Sequence, residues 1–417
     1  MAHQRRGAGR GRLPGPRHLG GHVRDGAGRG AHPRPDQHLH PAAAGALHAA
    51  GDDPDARSLH LRDQRPRVLV RGQLRQRLRG GGLLARVLRR DRLQHRVLGA
   101  VVAAAAKLVL QSKLLDPRAP VLLYGTTPPR AGTAPDAVES AAEKLAARLA
   151  PLPVDGVVVY DIQDESGRTA VPRPFPFTGT VDPCAYSGQL SRKVGRPAIT
   201  YKCVGTHDEA GWRAWLDTAA REHGVQYLSI VGRPTSGVTY PLSLNDAIRL
   251  ASTHAAGFTV GGVVIAERHG EERSESARLL AKGIQGCGYF ISQTVYHPDA
   301  TERLLRDYLR DCRGAGVAPK RIVLTFSPVG REKTMAFLRW LGVNVPEATA
   351  AAILNAAQPL KKSIETCCEN LRRILDHPYA REIPLGINVE SVSINKDEID
   401  ASIDLVHALG EVLRRAG

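Results

Sequence analysis

From residue 120 onward, short β-branched runs alternate with amphipathic stretches, and this alternation restricts the chain to parallel strands joined by crossover helices. The apolar runs are 121–124, 156–160, 198–204, 225–231, 259–266, 289–295, 321–325 and 385–391. Helical periodicity falls between them at 137–149, 209–223, 244–255, 274–285 and 300–315, and three further helical stretches, 332–341, 347–357 and 360–375, precede the last run. Eight such units predict an α/β fold, a (β/α)8 TIM barrel with an insertion before its last strand. An open doubly wound sheet would need a glycine-rich phosphate turn after its first strand. The closely spaced Gly7 and Gly9 have no strand before them, and no GxxxxGK[ST] sequence occurs.

The 417 residues carry a net charge of +17, and its distribution separates the first hundred residues from the rest. Residues 1–100 hold 21 arginines and no lysine against 7 aspartates and no glutamate, which leaves them at +14 of the +17. They contain no aromatic residue, Ile, Asn or Thr, so they read as a disordered, low-complexity basic segment. One reading is a nucleic-acid-binding arm, although the aromatic platforms on which bases stack are missing. The preferred reading is out-of-frame translation of GC-rich DNA, for which intact mass should show a native start near residue 101. Residues 101–417 are nearly neutral and long enough for one barrel core. Their six cysteines form no CxxC pair and no signal peptide precedes them, so a reducing cytoplasm is expected and a metal site is not. The apolar run near residue 101, interrupted by Lys107, is too short to span a membrane and reads as the start of a helix.

Chemistry in such a barrel gathers where the strands end. The second run leads into Asp161, Asp164 and Glu165, an acidic cluster suited to proton donation, or else ordinary solvated loop acids. The last run carries Glu390 among apolar neighbours, an interior carboxyl that must have a polar partner. The stiff loop Pro172-Arg173-Pro174-Phe175-Pro176-Phe177 places Phe175 to close over a flat ring or simply to cover the barrel. Cys367 and Cys368, on the inserted helices, are expected to be buried apolar residues.

The order of several motifs resembles the methylenetetrahydrofolate reductase family: Pro128-Pro129-Arg130, Glu267-x-His269, Ile291-Ser292-Gln293, Ser327-Pro328-Val329 and the segment 388–410. The resemblance, that of a divergent member, spans roughly residues 120–417. It implies reduction of 5,10-methylenetetrahydrofolate to 5-methyltetrahydrofolate by NAD(P)H in one-carbon metabolism and methionine biosynthesis, with FAD as an optional carrier. It assigns Gln293 to the pterin, and His269 and Lys282 to the dinucleotide, with Gly232 and Tyr160 counted on the cofactor side. For Gln293, His269 and Lys282 the plainer readings are a polar core cap, a structural histidine and a solvated helix lysine. Two departures stand out. The family's strand-one glutamate is Gly125, so Asp161, Asp164, Glu165 or Glu390 must supply the acid that protonates the departing nitrogen. The acid that faces the flavin is replaced by Arg233, a cation suited to a phosphate, a reduced flavin or the folate's glutamate tail. The alternative is a folate-binding protein or a folate-dependent transferase without reductase activity, and either reading is compatible with a homo-oligomer.

Overall fold

Each apolar run is extended because its branched side chains pack well on a pleated surface buried on both faces. In the computed structural model, which describes residues 109–165, 169–205, 207–232, 241–270 and 274–416, the runs become β1 (Leu122–Thr126), β2 (Gly156–Val159), β3 (Ala198–Cys203), β4 (Tyr227–Val231), β5 (Thr259–Val264), β6 (Tyr289–Thr294), β7 (Arg321–Phe326) and β8 (Leu385–Glu390). Every strand pairs in parallel with the next, and β8 returns to β1, with Leu122 opposite Ile387 and Gly125 opposite Glu390. The closed TIM barrel is therefore present as expected. The basic segment, with its disorder, nucleic-acid and reading-frame interpretations, lies outside the described residues.

Around the strands run α1 (Pro135–Leu149), α2 (Pro183–Val194), α3 (Glu209–Arg221), α4 (Leu244–Ser252), α5 (Glu275–Ile284) and α6 (Pro298–Gly314). The insertion before β8 forms α7 (Glu332–Trp340), α8 (Glu347–Leu354) and α9 (Pro359–Leu375), and α10 (Lys396–Ala416) follows β8. Side-chain caps start several of them, as where Ser243 Oγ accepts from the Asp246 amide and Ser274 Oγ from that of Ala277. Helix α2 has no counterpart among the helical stretches expected from the sequence. Its signals are punctuation: Asp182 Oδ1 accepts from the Cys184 and Ala185 amides, Pro183 opens the first turn, and Gly195 ends the helix at φ +69°. Gly188 interrupts the pattern because a Cβ there would lie 2.7 Å from the His223 carbonyl oxygen.

The inner face of the barrel is filled by Leu123, Val158, Ile199, Tyr227, Tyr289, Ile291 and Val323. Gly261 leaves the space that the Tyr289 ring takes, and the Tyr289 hydroxyl donates to the Leu228 carbonyl at 2.8 Å. At the N-terminal end the helical residues 109–115 close the floor, adding Leu110 and Leu114 to this inner layer. Arg321, only 2 % exposed, secures the floor by donating to the main-chain carbonyls of Leu114, Asp116 and Leu385. With one end packed shut, chemistry is confined to the other. Among the described residues no helix is long and apolar enough to cross a membrane.

Candidate active site at the barrel mouth

Three strands bring a polar cluster to the C-terminal end. Tyr160 follows β2, Asn388 and Glu390 lie on β8, and Thr294 ends β6. Asn388 Nδ2 donates to the Tyr160 hydroxyl oxygen at 2.9 Å and to Thr325 Oγ1 at 3.3 Å. The Glu390 carboxyl accepts from Thr294 Oγ1 at 3.1 Å, and the Tyr160 phenol, held by Asn388, lies near it. Burial pushes the Glu390 carboxyl above the usual carboxylate range, and the two hydroxyl contacts pull it only part of the way back. The same burial lifts the Tyr160 phenol well above its ordinary value. Asn388 Oδ1 is buried without a partner. Tyr160 also packs edge-on against Tyr201, ring centroids 4.8 Å apart.

Thr294 reaches Glu390 through an irregularity of β6. Ile291 pairs with Val323 and Thr294 with Thr325, so three steps on β6 match two on β7. Gln293 is displaced by this bulge, and its Nε2 donates to the Leu341 carbonyl at 2.7 Å. Gln293, Asp161 and Glu390 all lie at C-terminal strand ends of the same barrel, Gln293 with its amide bonded to a main-chain carbonyl. Asp161 is also engaged elsewhere, its Oδ2 accepting from the Cys203 amide and its Oδ1 from Gln163, both at 2.8 Å. Those contacts fasten the end of β2 to the end of β3. Asp164 is exposed and Glu165 half-buried on the loop beyond. Gly232 contributes a carbonyl to the Cys203 thiol, and Arg233 lies outside the described residues.

The Phe175 loop forms a strap. Its return end pairs with the loop after β1, where Val181 N donates to the Pro129 carbonyl and Ala131 N to that of Gly179. Its middle sits on α7: Trp340 Nε1 donates to the Val171 carbonyl at 3.0 Å, and Phe175 meets Phe337 edge-on at 5.3 Å. The Arg173 guanidinium lies over Phe177, Phe337 and Trp340, 4.9 to 5.4 Å from their centroids. Leu341, the next residue after α7, is the one bound by Gln293 of β6. The strap therefore runs between the loop after β1 and α7, which follows β7.

No family model matches the chain, and no curated protein matches it. Among solved structures, an uncharacterized protein from Clostridium thermocellum that binds two copies of 5-methyl-5,6,7,8-tetrahydrofolic acid is similar over 73% of this chain and 99% of its own. Identity is 29% and the TM-score 0.63. A second barrel, 2,3-dimethylmalate lyase of the PEP mutase/isocitrate lyase superfamily, covers 75% of this chain and 99% of its own at 14% identity, with a TM-score of 0.36.

The two residues that the resemblance assigned to a dinucleotide are both committed to protein partners. His269 Nε2 bonds Asp307 Oδ2 at 2.9 Å on α6, and hydrogen bonding from Arg306 above all holds that carboxyl down at about 2. Lys282 Nζ donates to the Val263 carbonyl at 2.8 Å, with its pKa lowered by burial in the barrel wall. His269 Nδ1 is buried without a partner. Thr294, Asn388 and Arg173 are the participants that the sequence reading missed. Asn388 had a signal, a lone amide within an apolar strand, whereas Thr294 depends on the bulge.

Proposed function

We propose that the barrel binds a reduced folate at its C-terminal mouth and reduces the methylene bridge of 5,10-methylenetetrahydrofolate with NAD(P)H. The observation that carries this reading is Glu390, a carboxyl at the barrel mouth whose pKa burial raises and which accepts a hydrogen bond from Thr294 Oγ1. Similarity over nearly the whole length of a barrel that binds 5-methyltetrahydrofolate supports the ligand class.

The chemistry asked of this chain is proton delivery. Glu390 protonates N10 of the substrate, the bond from the bridge carbon to N10 breaks, and an iminium forms at N5. NAD(P)H, taken as the second substrate, supplies the hydride that completes the methyl group. One proton and one hydride are consumed, and NAD(P)+ and 5-methyltetrahydrofolate leave. In this reading the strap is the element assigned to excluding water that would hydrolyse the iminium. No step runs through flavin, because NAD(P)H supplies the hydride directly.

A second reading, folate binding or folate-dependent transfer without reduction, is favoured by the ligand of the Clostridium thermocellum barrel, which is the methyl form. Calorimetric titration with 5-methyltetrahydrofolate and oxidation of NAD(P)H dependent on methylenetetrahydrofolate separate the two. Reduction predicts both signals, and Glu390→Gln is expected to keep the affinity while losing about 10²- to 10⁴-fold in turnover. Binding with no oxidation would leave the second reading standing.

A further inference from the structure

Gly125 lies on β1 opposite Glu390 of β8, at the point where the Tyr160 ring enters the mouth. A Cβ at residue 125 would fall 2.6 Å from the Tyr160 hydroxyl oxygen and 2.9 Å from Cε2, closer than real contacts allow. A side chain at 125 and the present place of Tyr160 therefore exclude each other. The ring is held by the Tyr201 edge at 4.8 Å, and its oxygen by the Asn388 amide at 2.9 Å. That oxygen already accepts one hydrogen bond, which leaves the phenolic proton for a second partner, and Glu390 lies across the β1–β8 pair from Gly125, where the ring sits.

We propose that Tyr160 is the positioning residue of the proton donor: its hydroxyl, oriented by Asn388, donates to Glu390 and stabilises the carboxylate left after proton transfer, and residue 125 is glycine so that the ring fits there. The proposal rests on the reading of Glu390 as the acid. A buried acid with no donors would hold its proton too tightly to release it, whereas a fully solvated one would have lost it before substrate arrived. Two hydroxyl donors place Glu390 between these limits. The groups facing it are Tyr160 after β2, Tyr201 from β3 and Thr294 from β6, with Asn388 on its own strand, while Tyr124 of β1 points outward to bond Ser402 of α10. Among the described residues no ion pair joins Glu390 to a cation, so the hydroxyls carry the adjustment.

The test is a carboxyl titration by NMR on substrate-free protein labelled with ¹³C at glutamate side chains, with Glu390→Gln identifying the resonance. Tyr160→Phe keeps the ring, and with it the burial, while removing one donor to the charged form. The Glu390 midpoint is expected to rise by about one pH unit, a tenfold change in ionisation constant. Thr294→Val removes the other donor and is expected to act in the same direction. In turnover, Tyr160→Phe should move the alkaline limb of kcat upward and lower kcat about three- to tenfold with the folate KM unchanged. A midpoint that stays or falls in Tyr160→Phe would mean that the phenolic proton goes to the Asn388 amide, and would overturn the proposal. Because the titration needs no substrate, a shifted midpoint in a protein that oxidises no NAD(P)H would retain this inference and reject the reductase reading instead.

Discussion

Glu390 ties the acid–base behaviour of the site to the stability of the fold. Its folded-state pKa lies above that of the unfolded chain, so the folded protein retains a proton that the unfolded chain has already released. The contribution is complete below the ordinary carboxylate pKa and is lost as pH rises through the elevated folded value. Denaturant unfolding across that interval should show stability falling with pH, and Glu390→Gln should flatten the slope. At Gly125, Ala is expected to cost about 1–3 kcal/mol, read as a lower urea midpoint, because the added carbon must displace the Tyr160 ring. Glu390 was legible as a carboxyl embedded in an apolar run. Its partners were not, since nothing near residue 160 in the sequence announces that its ring occupies the niche left by residue 125. Asp161 reads as equally suited to proton donation, and its bond with the amide of Cys203, 42 positions away, has no signal in the sequence.

At the scale of elements, the strands were readable to within about two residues because branched apolar runs have few other conformations in a buried sheet. Helix α2 was not, because Ser187 and Gly188 break its apolar stripe and the reason for Gly188 is the distant His223 carbonyl. The β6 bulge was equally invisible, being a register difference against β7. The strap is expected to behave as a separately opening unit, since α7 holds it by one indole hydrogen bond and a set of ring contacts. Trp340→Phe should accelerate amide exchange in 171–177 while changing global stability by less than about 1.5 kcal/mol. Equal acceleration throughout the barrel would show that strap and wall open together.

Across the whole molecule the two ends of the barrel differ in kind: the mouth is polar and strapped, the floor apolar and plugged. Leu114→Ala, at the floor, is expected to lower the unfolding free energy by about 2–5 kcal/mol, measured by denaturant titration, with folate affinity unchanged at the opposite end. The fasteners of that floor come from distant parts of the chain. Arg321 opens β7, yet the carbonyls it grips belong to the segment just before β1 and to the first residue of β8. During synthesis, then, the stopper leaves the ribosome long before the socket that receives it exists. Leu110 and Leu114 must wait, exposed, until nearly all of the polypeptide has emerged, and this interval is when a nascent chain most needs a chaperone to shield them.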